Sequence, residues 1–309
     1  GSEMCIRDRS LITALPGATA QGLIWGIMAI GVYITFRILD IADLTVDGTL
    51  CTGGAVCIMM MLSGHNVWVS MLVATGAGLL AGLATGIFHT FMGIPAILAG
   101  ILTQLSLYSV NLKIMGKANQ AINVDKFNLL VSLRRVKGVA LTQNTLFIVA
   151  IMIIILIAVL YWFFGTELGC SLRATGCNPS MSRAQGINTD FCKVLGLMIS
   201  NGLVALSGAL LTQYQGFADI NMGRGSIVIG LAAVIIGEAI FSRIFRNFAL
   251  KLLSVVFGSI LYYLVLQIVI WMGIDTDLLK MLSALVVAFF LAFPYWKGKY
   301  FTKAKQGGK

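Results

Sequence analysis

Three carboxylates, Asp40, Asp43 and Asp47, follow one another at spacings of three and four, which on a helix places them on one face. Such a face could take up a proton, Na⁺ or Mg²⁺, and so serve ion-coupled transport or a metal-assisted reaction. The same residues could instead cap helix ends, with Asp47 as N-cap of the segment that follows it. The residues alone leave both roles open. Other chemistries find no footing. None of the six cysteines, at 5, 51, 57, 170, 177 and 192, forms a CxxC pair, and His65 and His89 lie outside any HExxH. Gly76 to Ala81 fits a loose GxGxxA pattern, but inside an apolar run rather than between a strand and a helix. With no GxxxxGK[ST] phosphate loop and no Ser/His/Asp set, the chain should neither hydrolyse ATP nor act as an enzyme, and no cofactor is expected in it.

The elements that would position these residues are set by composition. Of 309 residues, 58% are hydrophobic and 11% charged, against roughly 25% charged in soluble domains. Apolar runs long enough to cross the ~30 Å hydrocarbon core fall near 12–36, 46–62, 67–89, 94–112, 145–165, 190–213, 226–240, 248–272 and 278–295. Their length and uniform apolarity exclude barrel strands, so the expected fold is all-α, a polytopic transmembrane bundle of about nine spans. Residues 1–10 look foreign to the rest, 11–296 read as one membrane domain and 297–309 as a basic cytoplasmic tail. The first apolar run is too long for a signal-peptide core and reads as a retained span.

The net charge of +10 comes from Lys and Arg placed between the apolar runs, where they orient the chain, and no base-reading module accompanies them. Nucleic acid is therefore excluded as a partner and the lipid bilayer takes its place. The tail lysines, Arg243 with Arg246, and Arg173 with Arg183 all mark the cytoplasmic side. By alternation, 113–144 is external although it carries six Lys and Arg against the single acid Asp125. Its basic residues, Arg134, Arg135 and Lys137 above all, are candidates for docking an acidic external protein.

Within the spans, Gly78, Gly82 and Gly86 repeat at helical spacing and let backbones approach closely. The mid-span polar residues Gln104, Asn111, Asn201, Gln213 and Gln267 suit interhelical hydrogen bonds. Gln104 is also a candidate for lining a pathway, with Asp43, Thr45 and Asp47.

A polar island, Thr166 to Thr189, interrupts the apolar runs. Asn178 is a good N-cap, Pro179 suits the first helical position and Gly186 a left-handed stop, which predicts a helix of about two turns from which Arg183 and Gln185 project. The run Leu172, Arg173, Ala174, Thr175, Gly176, Cys177, Asn178, Pro179, followed by Arg183, Ala184, Gln185, Gly186, Ile187 and Asn188, resembles the cytoplasmic loop of the ribose and branched-chain amino acid family of ABC permeases. Ala42 to Thr49 with Gly53 and Gly54, and Gly223 to Gly237, extend the resemblance over roughly residues 12–295. Glu238 departs from it, standing where relatives often have glycine. The wording from Ile38 to Gly48, ILDIADLTVDG, is most similar to permeases of the tryptophan/tyrosine type.

The resemblance implies an importer in the bacterial cell membrane, fed by an extracellular binding protein with a small solute, an amino acid or related compound. It implies a homodimer of permeases working with two cytoplasmic ATPases, which hold the ATP and Mg²⁺. The loop with Arg173, Ala174, Gly176, Asn178, Pro179, Arg183, Ala184, Gly186 and Ile187 would be its ATPase-coupling element. An ion-coupled secondary transporter is the alternative that Asp40, Asp43 and Asp47 keep open.

Overall fold

The computed structural model describes residues 2–122, 129–136, 144–241 and 247–272, with isolated positions between 281 and 292; side chains are described from Ala14 onward. The expected span at 278–295 thus lies largely, and the basic tail wholly, outside the described residues. In chain order the helices are α1 (Ser2–Tyr33), which runs on into a π-helical turn (Ile34–Ile38), α2 (Val46–Leu62), α3 (Val67–Thr90), α4 (Ala96–Met115), α5 (Thr145–Gly165), α6 (Glu167–Cys177), α7 (Pro179–Ala184), α8 (Thr189–Gln215), α9 (Ser226–Phe241) and α10 (Phe248–Trp271). Among the described residues, six stretches are long and apolar enough to cross a membrane: Ala14–Ile38, α3, α4, α5, α8 and α10.

Two apolar helices are shorter. At 1.5 Å per residue, α2 with 17 residues and α9 with 16 reach about 25 Å, less than the ~30 Å core. Both begin inside the bundle. The chain re-enters it through the break Leu39–Thr45 before α2 and through the segment Gly216–Gly225 before α9. Irregular backbone at such depth is tolerated only where protein surrounds it.

The all-α expectation needs one amendment. A short antiparallel ladder pairs β1 (Asn119–Ala121) with β2 (Phe217–Asp219), Gln120 opposite Ala218. It ties the segment after α4 to the one after α8.

Helix α8 is the axle of the bundle, and small residues set its spacing. Gly78 and Gly82 of α3 lie on the backbone of Asn201 and Leu197, Gly53 of α2 lies on Ala205, and Gly208 receives the Leu50 carbonyl, with no room for a Cβ at any of them. In lipid, where apolar burial gives helices no net attraction, such contacts supply the packing energy. The outward faces of α3, α4 and α5 remain apolar, with Leu72, Leu80, Leu105, Ile154 and Trp162 all more than 60% exposed, as a lipid-facing surface requires.

Candidate functional site

The three carboxylates do not share a helical face. The π-helical turn ends at Ile38, no helix continues until Val46, and Asp40 stands exposed at a positive φ of 56°, so the break sends each carboxylate a different way. Among the described residues, no group of three or more His, Cys, Asp or Glu is gathered closely enough to hold a metal ion.

Asp43 turns into the bundle and is 2% exposed. Its Oδ1 accepts the Thr45 backbone N–H at 2.9 Å, closing the turn that starts α2, and its Oδ2 accepts the Asn201 amide of α8 at 2.7 Å. Asn201 Oδ1 in turn accepts the Thr49 hydroxyl at 2.7 Å. Thr45 Oγ1 meets Thr85 Oγ1 of α3 at 2.7 Å, and Thr85 reaches Thr103 of α4 at 3.0 Å. Four helices thus meet in one buried polar cluster around the break. Asn201 lies twelve residues into α8, about 18 Å along it, which is mid-membrane depth. A buried carboxylate is costly unless its oxygens are hydrogen-bonded, and here both are.

Asp47 is a cap, but not of its own helix. The N-cap position of α2 belongs to Thr45, and Asp47 sits in the first turn. Its Oδ2 accepts the Gly225 N–H at 2.9 Å, and its Oδ1 accepts the Ile227 N–H at 3.0 Å and the Ser226 hydroxyl at 2.8 Å. The two N–H groups are orphan donors at the start of α9. Gly225, at φ 83°, adopts the left-handed turn into α9 but has no side chain to cap it, so α2 supplies the carboxylate across the interface. Gly223, whose missing Cβ lets the segment lie on the Asp47 carbonyl, makes the approach possible.

Gln104 is half-buried on α4, where its backbone packs against Gly48 of α2. Nearby, Asn111 is 1% exposed and extends its Nδ2 to the Gly48 carbonyl at 3.5 Å.

The polar island is two helices rather than one. Thr166 caps α6 with its side chain on Gly169 N–H, and Asn178 caps α7 by accepting the Met181 N–H at 3.1 Å. Pro179 occupies the first turn of α7, and Gly186 follows it at φ 81°. Arg173, Ala174 and Gly176 lie on α6, Arg183 and Ala184 on α7, and Ile187 in the turn to α8. Arg183 does not project freely. It folds back onto the start of α8, where its Nε donates to Thr189 Oγ1 at 2.7 Å and its Nη2 pairs with Asp190 at 3.2 Å. Met181 also stands out from α7, 63% exposed.

This end of the bundle also holds the break. Gly176 lies against the Ile38 carbonyl, where no Cβ would fit, and Gly196 of α8 receives the Leu39 side chain. Arg173 stacks over the Phe248 ring at the start of α10, 5.5 Å from its centroid. At the opposite end, Arg134 and Arg135 lie on a short 3₁₀ turn, Leu133–Val136, while Lys137 falls outside the described residues.

Sequence reasoning grouped Asn201 with ordinary mid-span polar residues and missed its bond to Asp43; a lone Asn carries no signal of its partner. It also assigned the Asp47 cap to the wrong helix, since a cap across an interface leaves no local pattern.

With this geometry in place, kinship is informative. Residues 15–291 match the family described as branched-chain amino acid transport system, permease component. The tyrosine transport system permease protein of Clostridioides difficile (strain R20291) is 39% identical over 272 residues, 88% of each chain. An uncharacterized protein of Rickettsia prowazekii (strain Madrid E) is 39% identical over 281 residues, covering 90% of this chain and 95% of that one. The fructose import permease protein of Bifidobacterium longum (strain NCC 2705) is 25% identical over 246 residues, 79% of this chain and 67% of its own. Among solved structures, PsaBC from Streptococcus pneumoniae in complex with Fab shares the fold, with a TM-score of 0.54 at 16% identity over 96% of this chain and 99% of that chain. Family match, relatives and membrane-crossing helices agree: the chain belongs to the branched-chain amino acid transport system permease family and is a membrane-embedded permease subunit of an ABC importer.

Proposed function

We propose that α7 is the coupling helix of this importer, that the break Leu39–Thr45 receives its motion, and that the solute is an aromatic amino acid. In this reading ATP and Mg²⁺ are held by partner ATPases on the α7 side, and hydrolysis takes place there. An external binding protein delivers the solute, docking on the basic segment with Arg134, Arg135 and Lys137. Two copies of the chain, each with about nine spans, enclose the pathway, to which Asp43, Thr45, Asp47 and Gln104 contribute. The 39% identity to a tyrosine transport permease along 88% of both chains supports the choice of solute.

The observation that carries the coupling assignment is the fit of α6 against the break. A short, doubly fixed helix, α7, stands out at the end of the bundle, and its neighbour α6 touches the Ile38 carbonyl through Gly176. A push on α7 therefore reaches the segment that anchors Asp43 and Asp47. No soft linker intervenes, because Asn178 joins α6 to α7 directly.

The test is reconstitution of the permease with its ATPase and binding protein. Gly186→Val places a β-branched residue at φ 81°, a strongly disfavoured conformation. Expression and dimerisation should stay normal while solute-stimulated ATPase activity falls sharply. In the same vesicles, uptake of labelled tyrosine should be competed by phenylalanine or tryptophan and resist collapse of ion gradients. Wild-type stimulation in the Val variant would make the loop a mere connector. Uptake that follows an ion gradient without ATPase would restore the secondary-transporter reading.

A further inference from the structure

Helix α9 is fastened at both ends to the two sides of the same break. At its start, Asp47 of α2, just after the break, holds Gly225, Ser226 and Ile227. Near its end, Glu238 accepts Arg37 Nε at 3.1 Å, and Arg37 belongs to the π-helical turn just before the break. Between these points Gly230 lies against Met28 and Val32 of α1. The break and α9 thus form a closed loop of contacts, a rod tied across a joint.

The two ties differ in kind. The Asp47 tie is made of three hydrogen bonds to a helix N-terminus, where a carboxylate also meets the positive end of the helix dipole. The Arg37–Glu238 tie is one ion pair with side chains 59% and 31% exposed, which water can compete for. It also lies at the end of the bundle where Gly176 of α6 meets Ile38, immediately beside Arg37. A π-helical turn carries Arg37, and such turns, rare in proteins, recur at functional sites.

We propose that α9 and the break move as one gate, hinged at the Asp47 tie and released at the Arg37–Glu238 pair, which makes Arg37 and Glu238 positioning residues for transport. This rests on the reading of α7 as the coupling helix. Motion arriving through α6 acts on Ile38 and strains the neighbouring pair, so breaking the pair uncouples the inner end of α9 from the π-helical turn, while Gly237 keeps that end seated on Ser254 of α10 and its start stays anchored.

The experiment has two arms. In proteoliposomes with the ATPase and binding protein, Glu238→Gln and Arg37→Gln should each raise solute-free ATPase activity about two- to fivefold, the population change an exposed ion pair can give, and lower solute moved per ATP. The charge swap Arg37→Glu with Glu238→Arg should restore both, which a merely structural loss would not do. The second arm needs no ATPase. In the permease alone, with Cys5, Cys170 and Cys177 replaced by serine, spin labels at Ile240→Cys on α9 and Leu168→Cys on α6 report the inner end of α9. Glu238→Gln should broaden that distance distribution, and the swap should narrow it again. An unchanged distribution in Glu238→Gln, or a swap that fails to restore it, overturns the latch. Loss of ATPase stimulation in the wild-type complex, with the spin-label result intact, would instead overturn the coupling reading.

Discussion

Replacing Asn201 with leucine tests whether the buried cluster at the break is as tightly coupled as its geometry indicates. The substitution keeps the branching of the side chain, though with bulkier ends, and removes the donor to Asp43 Oδ2 and the acceptor of the Thr49 hydroxyl. A hydrogen bond to a charged group contributes about 1.5–3 kcal/mol, and the loss leaves a carboxylate oxygen unsatisfied at 2% exposure. Thr49 is less affected, because its hydroxyl also lies 3.0 Å from the Thr45 carbonyl and can turn to it. The sum is a destabilisation of about 2–4 kcal/mol. Asp43→Leu alone should cost a similar amount, since the Thr45 N–H and the Asn201 amide then lose their acceptor. The double variant Asp43→Leu with Asn201→Leu removes both members of this pair together, a replacement that can be nearly neutral, and leaves the Thr45 N–H as the one donor without its acceptor. It should recover more than half of the loss of either single change. Thermal unfolding in detergent, followed by size exclusion of the soluble fraction, gives the cycle. Additive effects, with the double variant less stable than either single, would refute the claim that these residues act as a pair. A stable double variant that fails to transport would show that the carboxylate serves transport beyond holding the bundle together.

Asp47→Ala should remove the cap of α9 and cost about 0.5–2 kcal/mol, while Asp47→Asn, which keeps an acceptor, should retain most of the stability; melting curves of the two variants separate geometry from charge. Gly176→Ala places a methyl group where the Ile38 carbonyl sits, so solute-stimulated ATPase activity should drop while insertion stays normal; unchanged stimulation would mean that α6 does not drive the break. Arg134→Glu with Arg135→Glu should slow binding-protein docking most at low ionic strength, where charges are least screened, and binding kinetics across a salt series would show it. Identical rates at every salt concentration would leave that basic turn without a docking role.

The parts of this molecule written in local patterns were legible. The Asn178, Pro179 and Gly186 signals gave α7 its start and stop, because each acts on the backbone within a few residues of itself. The glycine repeat of α3 foretold a close helix contact, although its partner, the backbone of α8 from Val194 to Ala205, could not be named from spacing. What stayed hidden depends on distant partners. A periodic reading laid Asp40, Asp43 and Asp47 along one helix face, but helical periodicity holds only while the helix does, and the chain leaves it after Ile38. Arg183 was expected to reach outward because helix position alone ignores the Thr189 and Asp190 pair that α8 offers a few residues later.

The break responds to displacement as a unit. A continuous helix through residues 34–62 would satisfy its own backbone and could move only as a rod. Interrupted at Leu39–Thr45, the chain instead turns its carboxylates toward different elements: Asp43 accepts the Thr45 N–H and the Asn201 amide of α8, and Asp47 accepts N–H groups at the start of α9. Each of these bonds is short-ranged and directional, so a shift of the break by even 1 Å changes all of them together. Close packing of the glycine faces around α8 leaves little room for gradual deformation, which favours two discrete arrangements over a continuum. A permease needs such a pair of states, and the break places their boundary beside α6, which Asn178 joins directly to α7.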